Sequence, residues 1–360
     1  MLRQPVESLP VGAIEGFVGS IRRPLTLVIL VCLVVLGAAQ PASADPATPT
    51  NYRSTVTAVG PEASGVVFEI TGGDAFLSVS VETGHTVLIP GYFGEPYVRI
   101  DPDRSVWVNK SSRAFYINQD RYGEVAPPKD LDPNAPPAWA QVGDDGRYAW
   151  HDHRSHWMSH DPPPAISGDV LETVFPWELP VVIDGVDTTV RGELVWVPSR
   201  SPWGPVLAGM VALLPFAVWG TQHHLARGLV IAAGSAAAIG VEIALIIGTP
   251  APARGLWAEA ILPLVAVGAL GFVARYRDSR TGVSTLSTLV AGVVLLVWGA
   301  SNVATLWMPL LPTSLPTAAE RVMVGIAIWA GMGLCAVTVP SIFTTAKPEY
   351  SAFFAFSQAS

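Results

Sequence analysis

Five long apolar runs between residues 203 and 344 constrain this chain more than any other feature. They fall at about 204–220, 229–249, 257–274, 285–306 and 322–344, each close to the ~20 residues that carry a helix across a bilayer. Hydrocarbon offers the main chain no hydrogen-bond partner, so each run must satisfy its own peptide groups as a helix. Short connections make the helices neighbours. The expectation is an all-α bundle of five transmembrane helices, with 345–360 as a tail.

A sixth apolar run, residues 24–39, has a different character. Arg22 and Arg23 precede it, and Ala42-Ser43-Ala44 closes it before Asp45. A basic flank, an apolar core and an A-x-A site describe a secretory signal peptide over 1–44, with an uncleaved anchor as the alternative. Cys32 follows Val31 rather than a small residue, which argues against a lipoprotein anchor. Residues 45–53, rich in Pro, Ala and Thr, read as a linker. Export of 45–202 would start the first span outside. The basic residues agree, because Arg227, Arg275, Arg277 and Arg280 fall in inner loops, whereas outer loops hold only Arg254, with Arg321 at a helix start. Trp203, Trp219, Trp257 and Trp307 sit near expected interfaces. The protein is therefore expected in the plasma membrane as a multi-pass protein, its lipid partner the bilayer, its N-terminal domain extracytoplasmic and its C-terminus cytoplasmic.

The exported region has 22 Asp and Glu against 11 Lys and Arg, a net charge of −11. No basic face remains to neutralise phosphates, so no nucleic-acid partner is expected. It has no cysteine, so a packed core must hold it. Short β-prone runs divided by turn residues follow one another: 54–59, 65–71, 75–81, 86–89, 97–100, 105–109, 114–118, 147–150, 181–183 and 188–197. Pro180 is read as the start of its strand. Residues 125–138 hold five prolines and read as a long loop. The expected class is mixed: an all-β extracytoplasmic sandwich over 54–200, immunoglobulin-like or cupredoxin-like, followed by the all-α five-helix transmembrane bundle.

Four of the seven histidines, His151, His153, His156 and His160, crowd into one segment with Met158. On a strand His151 and His153 would share a face. A turn after Arg154 would bring His156 or Met158 alongside, and His85 is a candidate fourth ligand. Imidazole and thioether together suit copper, whereas zinc would leave the methionine unused. The competing reading is a hydrogen-bonded network of His151, Asp152, His153 and Arg154 that fixes a loop. Gly91-Tyr-Phe-Gly-Glu-Pro-Tyr97 is either a turn with packed aromatics or one wall of a site. Asp144-Asp145 and Asp101-Pro102-Asp103 read as turns, not paired catalytic carboxylates, and no enzyme is expected.

The run Gly146-x-Tyr148-x-Trp150-His151-x-His153 resembles the strand-end motif of cupredoxin-type domains, especially multicopper oxidases. The resemblance covers eight residues. It departs in lacking a cysteine thiolate, which excludes a blue-copper centre, and in having one His-x-His pair where a trinuclear site needs several. It implies at most a colourless mononuclear copper site. The whole layout also resembles a family of exported membrane proteins of actinobacterial type, which join a secreted β domain bearing Trp-His-Asp-His-Arg-x-His-Trp-Met to membrane helices. That resemblance implies an architecture and assigns no activity.

Within the spans, Glu242 is the one acid well inside a helix, and intramembrane acids are functional candidates by default. A structural pair with Arg321 is the competing reading. Ser301 and Asn302 are expected to bond between helices, and Gly234, Ala238 and Gly240 to allow close packing. His223 and His224 read as solvated. Three functions follow in order: binding or delivery of a metal ion, copper favoured, through His151, His153, His156, Met158 and His85; an interaction or scaffold module docking on another envelope protein; and a small transporter resting on Glu242.

Overall fold

Asp184-Gly185 joins the two longest strands, with positive φ at both residues (51° and 78°). A two-residue loop of this kind matches the twist of its flanking strands. It pins β9 (Glu172–Ile183) against β10 (Val186–Trp196), with Ile183 opposite Val186. Alternate residues of β9, Trp177, Leu179, Val181 and Ile183, face the core, and Val190 and Leu194 of β10 do the same. Gly192 must stay small, because a side-chain carbon there would collide with the Trp177 ring and the Thr55 carbonyl.

The computed structural model describes residues 47–61, 64–132, 135–220, 224–250, 260–276 and 282–345. The expected signal peptide, Arg22, Arg23, Cys32, Trp257, Arg254, His223 and the tail after Thr345 lie outside these residues.

Eight further strands complete the β region: β1 (Tyr52–Gly60), β2 (Val66–Thr71), β3 (Phe76–Val81), β4 (Val87–Pro90), β5 (Pro96–Ile100), β6 (Val106–Asn109), β7 (Trp139–Gly143) and β8 (Arg147–Trp150). All pairings are antiparallel. Seven strands form one sheet in the order β1-β10-β9-β4-β5-β6-β7, and three form another in the order β2-β3-β8. Phe68, Leu77, Val79 and Trp150 from the small sheet share one core with Ile89, Val98, Ile100, Val108 and Leu179 from the large one. Burying a side chain of this size contributes roughly 1.5–3 kcal/mol, and the two faces together account for the domain's cohesion without a disulfide.

Three expectations fail here for local reasons. The expected strand at 114–118 is a short helix, α1 (Arg113–Ile117), because the Ser112 hydroxyl accepts from Ala114 N–H and caps it. β7 goes unforeseen because it follows the proline-rich stretch. β9 begins at Glu172, not 181, and contains Pro176 and Pro180. β4 covers only its end, at Val182 and Ile183, so one side of 172–181 has no partner strand among the described residues. Prolines are tolerated along such an edge.

The C-terminal region is helical: α2 (Trp203–Gly220), α3 (His224–Gly248), α4 (Ile261–Arg275), α5 (Gly282–Ser301) and α6 (Thr317–Thr345), with a 3₁₀ turn at Val303–Leu306. Among the described residues, three segments are long and apolar enough to cross a membrane, Leu225–Gly248, Val283–Ser301 and Thr317–Pro340; Trp203–Pro215 and Ile261–Arg275 are shorter apolar helices. The expectation of five spans is therefore met on length by three helices. Small residues set the packing. A side-chain carbon on Gly209 would stand 2.5 Å from the Gly325 backbone, and one on Gly234 2.7 Å from Ala330 Cβ. Trp329 Nε1 donates to the Val206 carbonyl at 2.9 Å, tying α2 to α6.

The β region is seated on the segment between α5 and α6. Thr50 and Leu310 exchange both main-chain hydrogen bonds, at 3.0 and 3.2 Å, and Arg200 N–H donates to the Trp307 carbonyl at 2.7 Å.

Candidate functional site

The site begins where β8 ends. Gly146 adopts φ 68°, and a side-chain carbon there would run into the Val81 carbonyl, so glycine is required to start the strand. β8 pairs with β3 as far as Trp150 opposite Leu77. The chain then leaves the ladder and turns, with Ser155 N–H donating to the Asp152 carbonyl at 2.9 Å. The strand alternation expected to align His151 and His153 therefore stops one residue short of them.

Asp152 is the centre of the turn. Its carboxylate is fully buried and accepts from Trp150 Nε1 (2.8 Å), Arg154 N–H (3.0 Å), Arg154 Nε (2.8 Å) and Arg154 Nη2 (2.7 Å). Burial works against its charge, but the Arg154 guanidinium and these donors prevail and hold the carboxyl below its usual range. Arg154 in turn lies over the Tyr92 ring at 4.9 Å.

Each of the next three imidazoles has one nitrogen against a main-chain carbonyl. His151 Nδ1 meets Ala75 O at 2.6 Å, His153 Nε2 meets Asp120 O at 3.0 Å, and His156 Nδ1 meets Trp157 O at 3.3 Å. A carbonyl only accepts, so each of these nitrogens carries the proton. His151 is also stacked on Phe76, ring centroids 4.4 Å apart. The His153 and His156 centroids are 5.1 Å apart, and those of His151 and His156 6.2 Å. Burial pushes the pKa of His153 down. For His156, burial first and then the Arg121 and His153 charges push it down to about 3. Both rings are neutral at pH 7.

Supporting residues come from distant parts of the chain. Arg121 Nη2 donates to the buried Asp74 at 2.6 Å. Asp120 accepts from the N–H groups of Tyr122, Glu124 and Val125. Burial opposes its charge, yet these donors hold its carboxyl low. Tyr92 accepts from His153 N–H at 3.0 Å and donates to Asn118 Oδ1. The Gly91–Tyr97 segment is thus both a turn and a wall of the histidine segment. Of these partners the sequence marks only Tyr92, as part of a possible wall. The Tyr92 aromatic motif was the only visible signal, and pairs separated by 47 residues, such as Asp74 and Arg121, leave none.

The expected ligand set is only partly brought together. His151, His153 and His156 are neighbours. Met158 and His153 flank one point above Gly123: a side-chain carbon there would stand 3.1 Å from Met158 Cε, 3.0 Å from His153 Cε1 and 3.4 Å from His153 Nδ1. His85 does not join them. It bonds Asp184 at 2.7 Å beyond the far end of β3, whereas His151 is held by Ala75 at the near end. Six strand residues between them span about 20 Å. His160 lies tilted against Tyr122 at the surface, centroids 3.8 Å apart. Among the described residues no three His, Cys, Asp or Glu side chains form a group able to hold a metal ion.

The membrane candidates also separate. Glu242 is buried and accepts from Trp298 Nε1 at 2.7 Å, joining α3 to α5. Arg321 donates instead to the carbonyls of Thr305 (3.1 Å), Met308 (2.6 Å) and Pro309 (3.4 Å). The expected Glu242–Arg321 pair is not among the described ion pairs, because Arg321 serves the segment that seats the β region. Ser301 and Asn302 bond back to Val297 and Trp298 of their own helix, not across to another.

No protein-family model, curated protein or solved structure matches the chain.

Proposed function

We propose that this is a multi-pass plasma-membrane protein whose extracytoplasmic β-sandwich is a non-catalytic interaction module, displayed on a helical anchor. The single observation that carries the reading is the anchoring of the histidine segment to the surrounding main chain. Asp152 is buried and accepts four hydrogen bonds, and three successive imidazoles each meet a main-chain carbonyl. A segment committed in this way locks β8, the Tyr92 turn and the 118–125 loop together. General acid–base chemistry instead asks for a titratable group with a pKa near the working pH, and burial moves His153 and His156 away from it. The hydrogen bond between Glu242 and Trp298 supports a packing role for that acid over a transport role.

Within this reading, residues 1–44 direct export, all five helices cross the bilayer, and the C-terminus is cytoplasmic. The segment 302–316 then lies on the same side as the β region, as its pairing with Thr50 requires. The test is labelling of intact cells with a membrane-impermeant maleimide, in a chain with Cys32 and Cys335 replaced by alanine. Ser167→Cys in the β region is expected to label and Leu225→Cys at the start of α3 to be protected. The reverse pattern, or labelling of both, refutes the topology. An unchanged urea midpoint in His151→Ala refutes the structural role of the segment.

A further inference from the structure

We propose that His153, His156 and Met158 form a binding site for a single soft monovalent cation, Cu(I), with His153 Nδ1, His156 Nε2 and the Met158 sulfur as ligands. The inference goes beyond the locking role, because locking uses only one nitrogen of each ring.

His156 supplies the decisive observation. The residue is 1% exposed, and its Nε2 is buried with no hydrogen-bond partner among the described residues. A buried polar atom left unmet is destabilising and calls for an explanation. Nδ1 carries the proton toward Trp157 O, so Nε2 presents a bare lone pair. The same holds for His153. Its Nε2 proton goes to Asp120 O, and no described residue hydrogen-bonds its Nδ1. This is the usual arrangement of metal-binding imidazoles: one nitrogen fixed by a carbonyl, the other left to the ion.

The spacing fits. Metal–nitrogen bonds of about 2 Å place the centroids of two imidazoles on one ion roughly 5–6 Å apart, and His153 and His156 stand at 5.1 Å with their planes at 80°. Met158 Cε and His153 Nδ1 lie within 3.4 Å of one point above Gly123, a space open only because residue 123 has no side chain. Met158 is 41% exposed, which gives an entry path.

The chemistry selects the ion. Two imidazoles and a thioether are a soft, low-coordinate set, suited to Cu(I) and deficient for zinc. Each of the two nearby guanidinium groups is paired with a carboxylate, Arg121 with Asp74 at 2.6 Å and Arg154 with Asp152 at 2.7 Å, which reduces their opposition to a cation. His151 stays out of the set: it is held by Ala75 and stacked on Phe76.

The test uses the full chain in lipid nanodiscs, with Cys32 and Cys335 replaced by alanine so that no thiol competes. Cu(I) is titrated anaerobically against a chromophoric chelator, and Zn(II) in parallel. One Cu(I) per chain is expected, with affinity at least tenfold lower in Met158→Leu and in His153→Gln. X-ray absorption should show a sulfur neighbour that disappears in Met158→Leu, while Zn(II) affinity is the same with and without Met158. Met158→Leu keeps volume at a half-exposed position, and an unchanged hydrogen-exchange pattern confirms its fold. Failure of the parent chain to hold Cu(I) against the chelator overturns the proposal. So does retention that both variants leave unaltered.

Discussion

Acid should weaken the β region through one residue, His156. Its pKa is about 3 in the folded chain against 6.5 for an unperturbed imidazole. Between these values the unfolded state binds more protons than the folded one, so stability rises with pH across that window. The contribution is fully present above pH 6.5 and is lost as pH falls toward 3. At about 1.4 kcal/mol per pH unit the whole window is worth about 5 kcal/mol, and about 3 kcal/mol of it is gone at pH 4.5. The residue is 1% exposed, so solvent screening does not reduce the figure. Such a loss is a large part of the 5–15 kcal/mol typical of a folded domain. His153 acts in the same direction. Asp74 acts oppositely, because burial raises its carboxyl pKa and favours the folded state on acidification. The decisive measurement is therefore a difference: urea unfolding of the nanodisc-bound chain, free of metal, at half-unit steps from pH 7 to 4.5, for the parent and His156→Gln. The variant is expected to start lower but fall less steeply, by about 1 kcal/mol per pH unit below 6. Parallel slopes would refute the argument that His156 is held neutral by burial.

Other substitutions probe the remaining steps. Asp152→Asn leaves the half-buried Arg154 without its counter-charge and should cost roughly 3 kcal/mol, read from the same urea midpoint. Gly192→Ala forces a methyl group into the Trp177 ring and the Thr55 carbonyl; a loss of more than about 2 kcal/mol is expected, and a neutral outcome would show that β9 can shift. Thr50→Pro removes the N–H that donates to Leu310, so amide exchange at Leu310 and Trp307 should accelerate while β9 and β10 stay protected. Trp298→Phe deletes the donor to Glu242 between α3 and α5 and should lower the thermal midpoint in nanodiscs, whereas Trp329→Phe tests the α2–α6 contact separately.

What the sequence disclosed and what it withheld divide along a physical line. Period-two alternation and turn residues locate most strands, because both are local properties of a chain that buries one face. The apolar runs locate the helices for the same reason. Proline misleads at 180 because its cost depends on whether a neighbouring strand covers that side, and this is a property of the sheet. Ser112 turns 114–118 into a helix by one hydrogen bond that hydropathy does not register. At the histidine segment the residue types were legible and their directions were not. His151 and His153 are two apart, but β8 stops at Trp150, so the rule that would have aligned them no longer applied. The carbonyls of Ala75 and Asp120 then decided which nitrogen of each ring was used. A ligand set is defined by the lone pairs left over after the fold has taken its share, and only the folded chain shows that remainder. In the proposed site that remainder leaves out His85 and His151, so the copper expected from imidazole and thioether together would rest on His153, His156 and Met158 alone.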